Sequence, residues 1–318
     1  MSFKKNKYQI IKEAIPKDMA NFIFNYMMLQ QDAVYYMTQN NIINPANPII
    51  GNWVDKQVPG AYSKYADWVM ETLLLYVRPI MEKKTGLSLV PTYSYTRIYN
   101  KGNILKKHKY QVIRNAVSKE VCDMAYLYLQ ISAEADYWLL QNNTTHEGNP
   151  LIGNFKDSQV PNSYAKYADR LMETLLIKTI PVMKAKTGLD LIPTYSYTRL
   201  YKTGNILKRH KDRPSCEIST TLCLGGDLWP IFLDPTGSDN VIDEYKNIHK
   251  PNAPKGIKYL LKPGDMIIYS GCELEHWREP FEGKLCGQVF LHYNHANGPF
   301  AKSNLYDKRP MLGIPKTR

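Results

Sequence analysis

The sequence predicts an α+β fold in which a duplicated helix–helix–strand segment precedes an all-β region. Two observations support this prediction. Residues 8–109 align with residues 110–211 without a gap, and 52 of these 102 positions are identical, which indicates an internal duplication. Beyond Asp212 the pattern changes: short runs rich in Val, Ile, Thr and Tyr alternate with Gly, Pro and Asp, which is typical of strands and turns.

The two copies contain the same succession of predicted elements. Each has a helix with apolar and aromatic residues at helical spacing, a loop rich in Gly, Asn and Pro, a second helix ending at a glycine, and an extended segment rich in strand-forming residues. These elements cover 17–40, 47–52, 61–85 and 87–99 in the first copy, and 119–142, 149–154, 163–187 and 189–201 in the second. The block Pro91–Arg97 is identical to Pro193–Arg199.

The copies differ where the extended segment ends. The second reads His210-Lys211-Asp212, whereas the first reads His108-Lys109-Tyr110, and Tyr110 already begins the next copy. We therefore divide the chain into a partial duplicate, residues 1–109, and a domain of residues 110–318, with helices over 110–188 and a β core over about 189–295. We expect the first copy to bind no metal. It could pack on the second domain, mediate pairing between chains, or be a recent duplication of little function.

The region after Asp212 contains five predicted strands separated by turns. The segment 235–256 between the second and third of them is polar, contains three prolines and is predicted to be a loop over one face. The strands are predicted at 217–224, 229–234, 257–261, 266–269 and 288–293.

Composition limits the class of protein. With 318 residues and 44% hydrophobic residues the chain can bury a core, and it has neither an apolar run of membrane-spanning length nor a signal-peptide core. The five cysteines include no C-x-x-C pair, so a disulfide framework or thiolate zinc site is not expected. We expect a soluble cytoplasmic protein. The net charge of +12 permits anionic partners, including nucleic acid, but solvated lysines explain it equally well.

Three residues carry the predicted chemistry. His210 and Asp212 point to the same side if they lie on a strand, because alternate residues of a strand share a face. A further histidine, His276, follows a turn and an apolar segment at 263–269. Two histidines and one carboxylate make up the facial triad of non-haem Fe(II) oxygenases, which leaves metal positions open for other ligands.

Residues 193–293 resemble the iron(II)/2-oxoglutarate-dependent dioxygenases of the prolyl-4-hydroxylase-like branch. Four motifs carry the resemblance, in order and at sensible spacing. The versions at 275–280 and 288–293 are similar to those of phage and marine microbial proteins. The motifs are Tyr201-x-x-Gly204-x-x-Leu207-x-x-His210-x-Asp212, then Pro263-Gly264-Asp265 before a strand, then His276-x-x-x-Pro280, then a basic residue at Lys284.

The resemblance implies a double-stranded β-helix, or jelly-roll, with flanking helices. It further implies that His210, Asp212 and His276 hold Fe(II). The distal carboxylate of 2-oxoglutarate would pair with Lys284, and Tyr201 would donate a hydrogen bond to this co-substrate. Arg213 and Arg278 are alternative partners, or they form salt bridges with the nearby Glu217 and Glu279.

The resemblance also implies the reaction: dioxygen and 2-oxoglutarate are consumed, succinate and CO2 are released, and a substrate is hydroxylated, with ascorbate as a further reductant. Asp212 argues against the halogenating variants. A peptidyl substrate such as proline and a small molecule remain equal possibilities.

The alternatives are oxidative dealkylation of nucleic acid, disfavoured because the late arginine pair is missing, and a binding or virion-associated protein that retains the triad as a relic. If the chain is viral, it would act in the host cytoplasm, and its oligomeric state is left open.

Overall fold

The structure, a computed structural model, describes residues 14–43, 51, 62–97 and 110–316, which fall into two units, residues 1–100 and residues 101–318. The predicted boundary at 109/110, the residue His108 and, apart from Gly51, the predicted loop at 47–52 lie outside the described residues. Among the helices in the described ranges, none combines the length and apolarity needed to cross a bilayer.

Four long helices recur at an offset of 102 residues. The helices α2 and α4 begin where the carboxylates of Asp67 and Asp169 accept two backbone N–H groups, and they end at Gly86 and Gly188 in the left-handed conformation. The first unit contains α1, Lys17–Gln39, and α2, Trp68–Thr85, and the second contains α3, Lys119–Gln141, α4, Arg170–Thr187, and the short α5, Ala301–Asn304.

The second helix of each copy starts seven residues later than predicted, because the residues before it form a strand. In the first unit β1, Ser63–Tyr65, pairs antiparallel with β2, Tyr95–Arg97. In the second unit β4, Tyr164–Tyr167, pairs with β5, Leu191–Lys202, in the register that an offset of 102 requires. The apolar spacing at these positions fits either element, and pairing with the extended segment decides the outcome.

The second unit is built on two antiparallel sheets. The six-stranded sheet has the order β3-β12-β7-β14-β5-β4 and the four-stranded sheet the order β11-β8-β13-β6. The remaining strands are β3, Tyr110–Ile113; β6, Leu207–His210; β7, Ile218–Gly226; β8, Ile231–Leu233; β9, Val241–Asp243; β10, Ile248–His249; β11, Ile257–Tyr259; β12, Met266–Ser270; β13, His276–Arg278; and β14, Leu285–His295.

The chain path through these sheets confirms the predicted jelly-roll. From β5 to β8 and again from β11 to β14, successive strands alternate between the six-stranded and the four-stranded sheet. Apolar residues from both sheets form shared clusters, such as Tyr201 with Leu207 and Cys223 with Leu233, so the sheets pack face to face.

Three features of this unit differ from the sequence-based prediction. The segment 235–256 is not wholly a loop, since β9 and β10 form a hairpin within it. The strands β3, β6 and β13 were not among the five predicted, because each is only three or four residues long and gives little periodicity. The strand β6 ends at His210, so Asp212 lies in the following turn, where its N–H donates to Gly271 O at 2.9 Å.

Candidate metal centre

The structure brings His210, Asp212 and His276 together between the two sheets. His210 is the last residue of β6 and lies directly opposite His276, the first residue of β13. The distances from Asp212 Oδ1 to the two Nε2 atoms are 3.7 Å for His210 and 3.6 Å for His276. One ligand atom from each residue lies within 4.8 Å of the other two, so all three can bind one ion.

Backbone carbonyl groups fix the tautomer of both imidazoles. Nδ1 of His210 lies 2.7 Å from Lys208 O, and Nδ1 of His276 lies 3.1 Å from Leu274 O. A carbonyl oxygen only accepts hydrogen bonds, so both Nδ1 atoms donate a proton, and in the neutral imidazole each Nε2 atom then presents a lone pair. This is how metal-binding histidines are usually oriented. The donor set therefore fits a divalent cation of the kind that binds nitrogen and oxygen ligands.

The three side chains are buried close together, so that they shift one another's pKa values. Burial and the neighbouring His276 lower the pKa of His210 to about 4. Burial opposes ionisation of Asp212, but the charge and hydrogen bond of His276 hold the pKa of that carboxyl well below its usual range. Burial also opposes the charge on His276, yet Asp212 raises the pKa of His276 overall. The carboxylate is thus ionised and ready to bind a cation.

A second group of side chains holds the outer oxygen of Asp212. The hydroxyl of Ser219 donates to Asp212 Oδ2 at 2.7 Å and lies 3.0 Å from Nδ1 of His292. Because the hydroxyl has one proton, which goes to the carboxylate, Nδ1 of His292 donates to Ser219. A Cβ at Gly271 would approach Asp212 Oδ2 to 2.5 Å, so glycine is required there for the backbone to pass the carboxylate. These contacts leave Oδ1 directed at the histidines.

The three candidate ligands line a cavity of about 420 Å³, a size typical of small-molecule sites. Its walls come from both sheets and from the loop before β4. Aromatic side chains make up much of the wall, including Tyr195, Tyr197, Tyr269 and Phe290. The ring of Tyr269 lies 4.7 Å from that of His276, and it fixes the imidazole from the side of the six-stranded sheet.

Arg199, on β5, is a buried cation in the wall of this cavity. It is 3% exposed, and one terminal nitrogen lies 2.8 Å from Asp157 Oδ1. Its Nε and the hydroxyls of Tyr201 and Thr221 lack a well-aligned hydrogen bond within the described residues, although Tyr201 interacts with Arg199 and Thr221 with Tyr269. Buried polar atoms normally find partners, so this cluster indicates a place for a polar ligand. A carboxylate is an acceptor that would satisfy these donors.

The four residues predicted to contact 2-oxoglutarate occupy different environments. Lys284 is exposed in the turn before β14 and does not line the cavity. Arg213 lines it, but its guanidinium binds both carboxylate oxygens of Asp307 at 2.7 and 2.8 Å rather than Glu217. Arg278 is fully buried and does not line the cavity; it donates to the carbonyl of Trp229, and its Nε, like that of Arg199, has no hydrogen-bond partner within the described residues.

Tyr201, the fourth predicted contact, is fully buried in an apolar cluster, two residues from Arg199 on the same face of β5. The prediction missed Arg199, although a signal was present: an arginine at an alternate position between Tyr197 and Tyr201 in a strand pattern indicates a charge on a buried face. It also did not include Ser219 or His292, and His292 lines the cavity.

Comparisons with known proteins give similarity at the level of solved structures. No family model and no curated protein matches the chain. A prolyl-4-hydroxylase from Pseudomonas putida is 13% identical, with a TM-score of 0.33 over 59% of this chain and 93% of that one. HygX from Streptomyces hygroscopicus, with nickel and 2-oxoglutarate bound, is 11% identical, with a TM-score of 0.40 over 60% of this chain and 84% of that one.

A third similar structure is the viral collagen prolyl hydroxylase vCPH from Paramecium Bursaria Chlorella virus-1, as a 2-oxoglutarate complex. It is 13% identical, with a TM-score of 0.37 over 58% of this chain and 95% of that one. Similarity at this level carries no conclusion about activity.

Proposed function

We propose that the chain is an Fe(II)- and 2-oxoglutarate-dependent dioxygenase that hydroxylates a peptidyl or small-molecule substrate. One observation carries the proposal: ligand atoms of His210, Asp212 and His276 converge on one point at the wall of a cavity that is lined by both aromatic and charged side chains. Two histidines and one carboxylate on one side of a metal leave positions open on the other, which is the arrangement of non-haem Fe(II) oxygenases.

The residues of the centre have separate roles in this proposal. The two imidazoles would bind the metal as neutral ligands, because their Nδ1 protons are held by backbone carbonyls. Asp212 would bind through Oδ1 while Ser219 holds Oδ2. Iron bound there supplies the redox chemistry that couples decarboxylation of 2-oxoglutarate to hydroxylation of a C–H bond. A relic site without catalysis is less consistent with a complete donor set and an intact outer shell.

The distal carboxylate of 2-oxoglutarate would pair with Arg199. This cation is in the cavity wall, it is almost fully buried, and its Nε has no partner in the described chain. The hydroxyl of Thr221, which also lines the cavity, would add a neutral hydrogen bond to the same group, whereas Tyr201 is not among the lining residues. Lys284 would not contribute, because it is exposed and outside the cavity lining. We therefore assign to Arg199, on the adjacent strand β5, the carboxylate-binding role that was predicted for Lys284.

The aromatic wall would orient the substrate and keep water from the reacting atoms. Tyr195 is 8% exposed, and its ring lies 4.5 Å from that of His292 and 5.1 Å from that of Tyr167. The guanidinium of Arg213 lies 4.6 Å from the Tyr195 ring. These contacts make one wall rigid, which favours a defined substrate pose.

The first copy is proposed to bind no metal. The position equivalent to Asp212 is Tyr110, which belongs to β3 and pairs with Tyr269 of β12. Tyr110 lies in an edge strand of the sheet, so the first copy lacks the carboxylate that completes the triad in the second.

The test is anaerobic reconstitution with Fe(II) and 2-oxoglutarate. We expect a weak visible metal-to-ligand charge-transfer band, followed by release of succinate when oxygen is admitted. The Asp212→Ala variant is the control and should show neither. Absence of the band together with failure of the wild-type chain to retain iron would refute the proposal.

A further inference from the structure

The C-terminal segment Leu305–Lys316, called the tail below, is anchored on the second unit by a buried ion pair. The guanidinium of Arg309 donates to both carboxylate oxygens of Glu173 on α4, at 2.5 and 3.2 Å, and to the carbonyl of Thr194 at 3.0 Å. Glu173 is fully buried and Arg309 nearly so. A buried carboxylate of this kind needs a cation, and the tail supplies it.

An acidic residue two positions earlier adds a second anchor. Asp307 accepts a hydrogen bond of 2.6 Å from the hydroxyl of Tyr167, and the guanidinium of Arg309 lies 5.2 Å from the centre of the same ring. We call the set Tyr167, Glu173, Thr194 and Tyr195 the second groove. It binds Arg309 through Glu173 and the carbonyl of Thr194 and contacts Asp307 through Tyr167, while Arg213 and Lys316 pair with the charge of Asp307 from outside the groove.

The first unit repeats this groove residue for residue. At an offset of 102 the chain has Tyr65, Glu71, Thr92 and Tyr93, which we call the first groove, and all four are identical to their counterparts. The two tyrosine rings lie 5.0 Å apart, against 5.1 Å in the second groove. Glu71 accepts from the N–H of Ser94 as Glu173 does from that of Ser196. The arrangement of side chains that holds the tail in the second unit is thus also present in the first unit.

Residues of the first groove are exposed to solvent, whereas the tail covers their counterparts in the second groove. Tyr93 is 53% exposed and Thr92 is exposed, whereas Tyr195 is 8% exposed and Thr194 fully buried. Within the part of the chain that the structure describes, Glu71 forms no ion pair. The chain has one tail, and that tail lies in the second groove.

We propose that the first groove is a docking site for an extended segment of a partner protein with the chemistry of the tail, namely an arginine two residues after an acidic residue. Charge complementarity supports the arginine, because Glu173, the counterpart of Glu71, binds Arg309 in the second unit, and the Tyr167 hydroxyl, the counterpart of that of Tyr65, donates to the acidic residue. Three neighbours of the tail have no counterpart of the same kind: Arg170, whose Nε donates to Gly313 O, corresponds to Trp68, and Arg213 and Ser215, which bind Asp307, correspond to Gln111 and Ile113. The residues that follow the arginine therefore differ between the ligands of the two grooves.

The test is fluorescence anisotropy with a labelled synthetic peptide of residues 305–316 titrated with the full chain. We expect saturable binding of one peptide per chain. Glu71→Gln should weaken it at least tenfold, and a peptide carrying Arg309→Met should lose affinity to a similar extent, because each change removes one partner of a charge pair. Lys83→Gln, an exposed change on the same helix, is the matched control and should leave affinity unchanged.

Two further variants keep the result decisive. Tyr65→Phe removes only the hydroxyl that would meet the acidic residue, so it should weaken binding even if Glu71→Gln perturbs the fold. Glu173→Gln changes the second groove and should leave peptide binding intact. The proposal is overturned if no saturable binding is seen, if Glu71→Gln and Tyr65→Phe both bind as the wild type does, or if only Glu173→Gln alters binding. Iron and 2-oxoglutarate take no part in this measurement, so its result is independent of the proposed activity.

Discussion

Replacing Arg199 by methionine tests which cation binds the distal carboxylate of 2-oxoglutarate. The substitution by itself would leave Asp157 buried without its partner, because the ion pair of 2.8 Å between them would be lost. We therefore choose the double variant Arg199→Met/Asp157→Asn, which removes both charges. The new side-chain amide keeps an oxygen that can accept the backbone N–H of Gln159, a hydrogen bond that Asp157 accepts at 2.8 Å.

The expected magnitude follows from the environment of the guanidinium. Arg199 is 3% exposed, so its hydrogen bonds to an anion would be made away from water. Hydrogen bonds to charged groups contribute about 1.5–3 kcal/mol each, and the loss of a buried charge partner costs about 2–5 kcal/mol. A loss of about 2–4 kcal/mol corresponds to a 2-oxoglutarate affinity about 30- to 700-fold weaker.

The assay is isothermal titration calorimetry of 2-oxoglutarate into the metal-loaded chain under anaerobic conditions. Lys284→Ala is the comparison variant, because Lys284 is the exposed basic residue that the family pattern would favour. We expect Lys284→Ala to bind as the wild type does. If Lys284→Ala weakens binding and the double variant does not, the assignment of Arg199 is refuted.

Three further predictions follow from the same structure. His210→Ala should abolish iron retention, measured by metal analysis after desalting, whereas His108→Ala should leave it unchanged; iron loss in the second variant would contradict a metal-free first copy. Ser219→Ala should weaken Co(II) binding about 10- to 100-fold and alter its ligand-field spectrum, since Asp212 loses the donor to its outer oxygen; an unchanged spectrum would contradict this role. Arg309→Met should lower the free energy of unfolding by about 3–5 kcal/mol, because Glu173 is left buried without a cation. Burial raises the pKa of Glu173, so the folded state binds its proton more readily and this variant should be more stable at pH 5 than at pH 8 in denaturant titrations; the opposite slope would contradict the assignment.

The helices and the fold class were accessible from sequence because their signals are local. Apolar spacing predicted α1 and α3 to within one residue at each end, and the glycine stops of α2 and α4 were correct. The starts of α2 and α4 were not, since the residues before them pair with strands some thirty residues later in the chain. A strand of three or four residues gains its stability from its partner, and the partner is not visible in a local window.

The same distinction between local and distant signals applies to the functional residues. The three candidate metal ligands were recognisable from the sequence, whereas the proposed partner of 2-oxoglutarate was not. His210 and Asp212 are two residues apart, so their proximity is a local property, and His276 is recognisable by its motif. The partner of a carboxylate can come from either of two adjacent strands, because side chains at facing positions project from the same side of the sheet. Arg199 on β5 lies opposite Gln288 on β14, the strand that the family pattern indicates, so these two positions are neighbours in space although 89 residues separate them in sequence.

By itself the sequence determined the four long helices, the change to strands after Asp212, the repeat at an offset of 102 residues and the three candidate metal ligands. Tertiary structure alone decided which cations face the cavity: it placed Lys284 in solvent, paired Arg213 with Asp307 and left Arg199 with an unpartnered donor. It also distinguished two grooves with identical side chains, one covered by the tail and one exposed. The physical reason is that burial and ion pairing depend on which distant segments pack together, whereas periodicity and motif spacing depend only on near neighbours in the chain.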